Sequence, residues 1–198
     1  MLPNQTKLDP RAKRTRQLLQ AAFLELIPEK NFQSITVQDI AERATVNRAT
    51  FYAHFEDKYE LLEYCIREGF LQVVSARLPA DAALSALNLE RLILALCEFV
   101  SPFADHCPPS QHQFYSLVEV QIRGQLYEIL LVWLNEAKAR GQPIAATPEL
   151  AATVTTWAIY GAVQQWSQGD RRLSAEHLAR QLLPLIEAIL QTPASNGG

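Results

Sequence analysis

Glycine and cysteine are scarce in this chain of 198 residues, and their scarcity excludes several kinds of protein. The 7 glycines are about half of the usual share of roughly 7%, and none precedes Gly69. That absence disfavours a glycine-rich phosphate-binding loop and the many tight turns of an all-β fold. The 3 cysteines form no CxxC pair, so the sequence indicates neither a disulfide framework nor a structural zinc site. We therefore expect reduced thiols in a cytoplasmic protein that has no metal and no cofactor.

A long hydrophobic run is missing as well. Residues 150–169 carry no charge, but the Thr, Gln and Ser side chains at 153, 155, 156, 164, 165, 167 and 168 make this segment too polar to span a membrane. We expect a buried or interface helix there. The composition, 48% hydrophobic and 20% charged, is typical of a soluble globular protein that can bury a core.

An excess of positive charge is also missing, which at first disfavours a nucleic-acid-binding protein. The 18 Lys and Arg residues are outnumbered by 21 Asp and Glu residues, and the net charge is −3. The distribution of charge reverses that conclusion, because salt screens charges that lie more than about 8–10 Å apart. Residues 1–20 carry a net charge of +4, whereas residues 61–198 carry −4. A basic N-terminal segment can therefore bind DNA within an acidic protein, although such a segment can equally be a solubilising tail.

Apolar residues recur at helical spacing along almost the whole chain, and no segment alternates as a strand would. We predict an all-α fold of about nine helices. The expected helices are 10–28, 36–44, 48–54, 57–77, 88–104, 112–140, 148–168 and 174–191, and a break near Ser116 or Gly124 would give the ninth. The inner face of the first helix is expected to consist of Leu18, Ala21, Ala22 and Leu26, flanked by Leu19 and Phe23.

Capping residues predict the local structure of the N-terminal segment. Asn31, a residue that tolerates the left-handed conformation, is expected to turn the chain after the first helix. Thr36 and Asp39 have the spacing of a capping box. Asn47 is a good N-cap for the next helix, and Asp57 for the one after it. These signals predict a helix-turn-helix, whose second helix can lie in the major groove of DNA.

On this second short helix, the residues expected to pack and those expected to be exposed lie on different faces. Phe51 and Phe55 lie four residues apart and are expected to pack inwards. Arg48, Thr50 and Tyr52 are then displayed on the other faces.

Residues 36–62 resemble the TetR family of bacterial transcription regulators, and the resemblance extends over about residues 10–62. The positions that carry it are Thr36, Val37, Asp39, Ile40, Ala41, Ala44, Val46, Thr50, Phe51, Tyr52, Phe55, Lys58 and Leu61. Two positions at which the family commonly has glycine hold Asn31 and Thr45. The resemblance implies a flexible basic arm at 1–9, a three-helix DNA-binding domain at 10–57 and a larger helical effector-binding and dimerisation domain at 58–192. Residues 193–198 are expected to form a disordered tail.

The resemblance also implies which residues contact DNA. Base-edge contacts are assigned to Gln38, Arg48 and Thr50: Arg48 can pair with guanine O6 and N7, and Gln38 can read adenine. Phosphate contacts are assigned to Thr36, Asn47, Tyr52, His54 and Lys58. Non-specific attraction is expected from Arg11, Lys13 and Arg14. For His54, packing is the alternative to a phosphate contact.

The remaining two-thirds of the chain is expected to dimerise and to bind a small effector, as the resembled family does. Two rows spaced i, i+4, i+7 and i+11 would let two helices from each subunit form a four-helix interface. The rows are Ala151, Thr155, Ala158 and Ala162, and Leu178, Leu182, Leu185 and Ile189. The expected effector pocket is lined by Phe99, Phe103, Tyr127, Trp133, Trp157 and Tyr160, and an apolar lining predicts a neutral or aromatic ligand. For both sets, an ordinary intramolecular core is the alternative.

The function predicted from the sequence is that of a ligand-responsive bacterial regulator. It would bind a palindromic DNA operator as a homodimer, with repression the favoured outcome, and a small hydrophobic effector would release it. The alternatives are a transcriptional activator and an effectorless helical DNA-binding or scaffolding protein. An enzyme is not expected. His106, Cys107 and His112 are one ligand short of a closed zinc site and match no familiar spacing.

Overall fold

The fold is all-helical in a computed structural model that describes residues 9–106, 112–169 and 173–190, without the side chains of 102–106 and 112–115. Its helices are α1 (Pro10–Leu26), α2 (Val37–Arg43), α3 (Arg48–Tyr52), α4 (Lys58–Arg77), α5 (Ala86–His106), α6 (His112–Ala139), α7 (Pro148–Gln168) and α8 (Ala175–Leu190). A short 3-10 turn, Phe32–Ser34, precedes α2. No strand occurs in these described ranges, and the prediction of an all-α fold is confirmed.

The described residues form eight helices rather than the nine expected, because α6 continues without a break through Ser116 and Gly124. Gly124 has no atom within 4 Å of the place its Cβ would take, so the glycine relieves no steric conflict there. A glycine inside a helix costs only about 0.5–1 kcal/mol, which is too little to interrupt a helix of 28 residues. The last helix likewise continues through Pro184.

The described chain divides into two compact units. The N-terminal unit contains residues 9–68 and 112–121, and the C-terminal unit contains residues 69–106, 122–169 and 173–190. This division falls inside α4, between Glu68 and Gly69, and the functional boundary after residue 57 stays a prediction. The arm at 1–9, except Asp9, and the tail at 193–198 lie outside the described residues.

The inner face of α1 is confirmed in part. Ala22 and Leu26 are buried as predicted, but Leu18 and Ala21 are exposed, and the flanking residues Leu19 and Phe23 are fully buried instead. Phe23 packs edge-on against Phe32, with ring centroids 6.1 Å apart. The spacing of apolar residues on α1 allowed either face, and the buried one includes Phe23, which contacts the Phe32 ring.

Asn31 turns the chain by a different means from the one expected. Its φ of −57° lies outside the left-handed region. Its side-chain oxygen instead accepts a hydrogen bond from the Gln33 N–H at 3.1 Å, so Asn31 is the N-cap of the 3-10 turn. The expectation of a left-handed Asn31 was wrong, because the amide cap satisfies the first free N–H of the turn.

The C-terminal unit has its core where α5, α7 and α8 pack against one another. Its fully buried side chains include Leu92, Ile93, Leu96, Ile159, Val163 and Ile186. Ser174 lies at the start of α8, and its hydroxyl accepts a hydrogen bond from the His177 N–H at 3.2 Å. No helix within the described ranges is long and apolar enough to cross a membrane.

Thr45 is the point of backbone strain between α2 and α3. Its φ is +55°, which makes it the one described non-glycine residue in the left-handed region. The turn is a Schellman motif, in which Val46 N–H bonds the Ala41 carbonyl at 2.9 Å and Thr45 N–H bonds the Glu42 carbonyl at 3.1 Å. A β-branched residue has a steric conflict in this conformation and prefers a negative φ. The hydrogen bonds of the turn therefore hold Thr45 in a strained conformation.

The end of α6 also has a Schellman motif, and there the left-handed position holds glycine, the residue that usually occupies it. Gly141 has a φ of +75°, and the N–H groups of Gly141 and Gln142 bond the carbonyls of Lys138 and Ala137, both at 3.0 Å. The two turns therefore form a matched pair that differs mainly in the residue at the left-handed position.

We predict that Thr45→Gly stabilises the protein and that Gly141→Thr destabilises it. The strain at a left-handed non-glycine residue is about 1–3 kcal/mol and the added chain entropy of glycine about 0.5–1 kcal/mol, so Thr45→Gly should gain about 1 kcal/mol. Urea unfolding measures both changes. Equal effects of Thr45→Ala and Thr45→Gly would contradict the account, because alanine keeps most of the left-handed penalty.

Candidate nucleic-acid interface

The recognition surface is built on α3, a helix of only five residues. Asn47 caps it, and its side-chain oxygen accepts from the Thr50 N–H at 2.7 Å and from the Thr50 hydroxyl at 3.0 Å. Phe51 is fully buried and packs against Phe55 with ring centroids 5.9 Å apart. The expected cap and the expected inward face of α3 are both present, and the opposite face is left to solvent.

Arg48 and Tyr52 share that exposed face, one helical turn apart. An Arg48 guanidinium N–H donates to the Tyr52 hydroxyl at 3.3 Å, and the guanidinium carbon lies 5.8 Å from the centre of the Tyr52 ring. The Tyr52 ring in turn packs edge-on against Phe51. A buried ring thus orients Tyr52, and Tyr52 orients Arg48. The Thr50 hydroxyl, which was assigned a base contact, gives its hydrogen to Asn47 and keeps acceptor capacity only.

The start of α2 is fixed by the predicted capping box. Asp39 N–H donates to the Thr36 hydroxyl at 3.1 Å, and Thr36 N–H donates to the Asp39 carboxylate at 2.9 Å. Lys30 donates to the same carboxylate at 2.7 Å. The Lys30 ammonium and then the Thr36 N–H lower the pKa of Asp39 from 3.8 to about 2. The Thr36 hydroxyl, assigned to a phosphate, therefore already has a structural partner.

Gln38 is exposed on α2 and held by a neighbour. Its NH2 group donates to the Glu42 carboxylate one turn along the helix, which leaves its carbonyl oxygen and its second amide hydrogen for a base. An amide that keeps one acceptor and one donor can still pair with N6 and N7 of adenine, as the sequence predicts.

Lys58, assigned to a phosphate, has a different set of partners. Its ammonium donates to the carbonyl oxygens of Phe32, Gln33 and Ile35 at 3.0, 2.9 and 2.8 Å. Desolvation lowers the pKa of Lys58, and the carboxylate of Asp57 opposes that shift. The phosphate assignment of Lys58 and that of half-buried His54 stay predictions.

Arg16 is a residue that sequence reasoning missed. Its guanidinium lies 4.9 Å from the ring centre of Phe55 and 5.3 Å from that of Tyr64, and it donates to the His54 carbonyl at 3.1 Å. The only available signal was its membership of the basic N-terminal cluster, which suggested a solvated cation instead.

The predicted dimer residues divide between the interior and the surface of the C-terminal unit. Ala151, Thr155 and Leu182 are buried, whereas Leu185 is exposed. The others, Ala158, Ala162, Leu178 and Ile189, are partly exposed. Large apolar side chains are nevertheless exposed on α7, and they begin one residue earlier, at Leu150 (55%), Val154 (41%) and Trp157 (56%). The i, i+4, i+7 row is therefore present on the surface, rotated from the predicted one by a single position.

The predicted pocket aromatics do not share one environment. Trp133 and Tyr160 are buried in the C-terminal unit, and Tyr127 is partly exposed. Phe99 packs against Phe70 at 5.5 Å, while Trp157 is exposed beneath the Arg123 guanidinium at 4.0 Å. The side chain of Phe103 lies outside the described residues.

The described cysteines are poor candidates for chemistry. Burial raises the pKa of Cys65 and that of Cys97 to about 12, which keeps both thiols protonated at neutral pH. The side chains of His106, Cys107 and His112 lie outside the described residues. Among the described side chains, no three His, Cys, Asp or Glu residues cluster as metal ligands.

Comparison with known sequences gives a family match within the N-terminal unit. The family profile of bacterial regulatory proteins of the tetR family matches residues 18–65. An uncharacterized HTH-type transcriptional regulator of Bacillus subtilis, YxbF, is 39% identical over 69 residues, which are 34% of this chain and 18% of YxbF. DhaS of Lactococcus lactis, a transcriptional activator of the dhaKLM operon, is 30% identical over 61 residues, 31% of this chain and 33% of DhaS. The chain thus spans a third or less of the length of these two relatives.

Solved structures share the fold over most of the chain. The regulator FadR of Bacillus subtilis, crystallised in complex with stearoyl-CoA, superimposes with a TM-score of 0.58 and 18% sequence identity. The match covers 88% of this chain and 99% of FadR. At this identity the likeness concerns the fold.

We predict that the Lys30–Asp39 pair makes stability depend on pH in the acid range. Because the folded-state pKa of Asp39 is about 2 and its usual value 3.8, the ionised carboxylate stabilises the fold above pH 3.8, and this contribution is lost as the pH falls through about 2. Lys30→Met should move the pKa of Asp39 towards 3.8, as read by carbon NMR titration of its carboxyl group. In Asp39→Asn, the free energy of unfolding should depend less on pH between about 2 and 3.8. An unchanged pH dependence in this interval would contradict the role given to Asp39.

Proposed function

We propose that the chain is a transcription regulator of the TetR family, whose profile matches residues 18–65, and that it inserts α3 into the major groove of DNA. The observation that carries the proposal is the division of α3 into a buried Phe51 face and an exposed Arg48–Tyr52 face. The Arg48 guanidinium donates to the neutral Tyr52 hydroxyl, and its other N–H donors can bind the edges of bases in the groove of a duplex.

The proposed base contacts come from two neighbouring helices. Arg48 on α3 has the donors to bind guanine O6 and N7, and Gln38 on α2 offers its carbonyl oxygen to an amino group. Thr50 can accept a further hydrogen bond. Phosphate contacts are proposed for Thr36 and Asn47, the N-caps of α2 and α3, and for Tyr52 and His54 at the end of α3.

A homodimer is proposed to bring two such units to the DNA. The exposed row Leu150, Val154 and Trp157 continues at Gly161, which has no atom within 4 Å of the place its Cβ would take. Leu185 of α8 is 63% exposed, although α8 packs against α7. Covering these side chains with a second copy would remove apolar surface from water and join α7 and α8 of both subunits. Two recognition helices about 34–36 Å apart would then meet successive major grooves of a pseudo-palindrome.

Ligand control is proposed for the C-terminal unit, with a small, largely hydrophobic effector. The buried rings of Trp133 and Tyr160 and the half-buried Phe99 and Tyr127 supply apolar surface for it. The complex of FadR with stearoyl-CoA is an instance of a hydrophobic ligand on the same fold. Repression is the proposed outcome, and activation is the second candidate because DhaS is described as an activator. Competition for bound DNA by a panel of hydrophobic compounds tests the release.

We predict that Arg48→Ala weakens binding to a duplex selected by the wild-type protein by about 1–3 kcal/mol and relaxes the preference for guanine at one position. Arg43→Ala is the matched control. Arg43 lies on α2, and Glu29 holds its guanidinium at 2.7 and 3.0 Å, so its loss should leave base preference unchanged. Fluorescence anisotropy with single-base variants measures both. Unaltered affinity and preference in Arg48→Ala would exclude α3 as the recognition helix.

We predict that Leu185→Arg shifts the protein from dimer to monomer. A charge introduced at this exposed position has no effect on the protomer core but would lose its hydration if a second copy covered it. Leu87→Arg is the control, since Leu87 on α5 is similarly exposed at 54%. Equilibrium sedimentation at micromolar concentration distinguishes the species. A wild-type monomer, or equal behaviour of the two variants, would rule out this interface.

A further inference from the structure

Two cations of the N-terminal unit bind backbone carbonyl groups rather than carboxylates. The Lys58 ammonium, at the start of α4, donates to three carbonyls, and its nitrogen also lies 4.9 Å from the centre of the Phe32 ring. An ammonium has three hydrogens, and here each has an acceptor. Lys58 could therefore contact a phosphate only by giving up one of these bonds.

The guanidinium of Arg16 on α1 likewise binds a backbone carbonyl, at the other end of the helix-turn-helix. It lies over Phe55 and Tyr64 and donates to the His54 carbonyl at 3.1 Å. Its Nε atom is buried and has no hydrogen-bond partner among the described residues. The Arg16 side chain is half-buried, and burying the Nε donor without a partner costs free energy that the contacts with Phe55, Tyr64 and the His54 carbonyl must offset.

The bonded carbonyls flank the helix-turn-helix on both sides. Phe32, Gln33 and Ile35 come directly before Thr36, the N-cap of α2, and His54 follows the end of α3. The framing helices α4 and α1 thus each hold one end of the α2–α3 pair. Base contacts need side chains within hydrogen-bond reach of the groove floor, so a small displacement of either end would remove them.

We infer that Lys58 and Arg16 are positioning residues for sequence recognition, which act through backbone carbonyls at the two ends of the helix-turn-helix and not through phosphate. This inference rests on the proposed function. A phosphate contact and a positioning residue have different effects on DNA binding. A phosphate contact strengthens binding to every duplex and makes the logarithm of the binding constant fall with the logarithm of the salt concentration, with a slope of about −0.9 per phosphate. A positioning residue strengthens binding to the preferred duplex only and leaves that slope unchanged.

The test compares Lys58→Met with the wild-type protein on two duplexes, one selected by the wild-type protein and one of scrambled sequence, over a series of salt concentrations. Methionine keeps the length of the side chain and removes its charge and donors. Affinity for the selected duplex should fall about tenfold, with little change for the scrambled duplex and no change in salt slope. Lys13→Met removes the same charge from an exposed position of α1 that is expected to attract DNA non-specifically, so it is the matched control: it should weaken both duplexes alike and leave the ratio of their affinities unaltered.

Two results would overturn the inference. A salt slope that becomes shallower by about 0.9, with equal loss on both duplexes, would make Lys58 a phosphate contact. Equal loss on both duplexes with an unchanged slope would make it a residue needed only for folding. Arg16→Met provides the second variant, with the same expected pattern, if Lys58→Met does not fold.

Amide hydrogen exchange separates this inference from the proposed function, because it needs no DNA. The Ile35 N–H bonds the Phe32 carbonyl, which is also an acceptor for Lys58, so Lys58→Met should accelerate exchange at Ile35. Unchanged exchange would refute the positioning role even if DNA binding were specific. A wild-type protein that prefers no duplex would instead refute the proposed function.

Discussion

A recognition helix of five residues cannot be stable by itself, and the N-terminal unit depends on this constraint. Isolated helices shorter than about 12–15 residues are marginal in water, so the direction of α3 must come from its surroundings. The Asn47 cap and the strained turn at Thr45 fix its start, and Phe51 fixes its inner face. The carbonyl of His54, just beyond its end, is held by Arg16. The exposed face is therefore determined by contacts made behind it.

The positively charged side chains of the N-terminal unit bind different kinds of partner. Lys30 and Arg43 bind carboxylates, and Lys58 and Arg16 bind carbonyl groups, so four positive charges serve the fold. Arg48 bonds the Tyr52 hydroxyl, a neutral group that a guanine or phosphate can replace. The modest positive charge of the N-terminal segment is thereby concentrated on α3 and on the exposed start of α1, where DNA is proposed to bind.

Sequence reasoning succeeded where a short-range rule decides the outcome. The capping box at Thr36, the cap at Asn47 and the burial of Phe51 follow from residue type and spacing over a few positions, and all are present. It failed where distant segments compete. Leu18 and Leu19 both fit the helical period, and which of them is buried depends on residues outside α1, such as Phe32, which packs against Phe23 of the buried face. Likewise, the position of Lys58 beside carbonyls 23–26 residues away is not encoded in its neighbours along the chain.

The central claim is that α3, directed by this framework, reads DNA sequence. Selection of bound duplexes from a random-sequence pool by the full chain tests it most directly. The account predicts enrichment of a pseudo-palindrome whose half-sites are separated by about one helical turn, with a guanine in each half-site as the partner of Arg48. A pool that remains random after selection, despite binding, would contradict it.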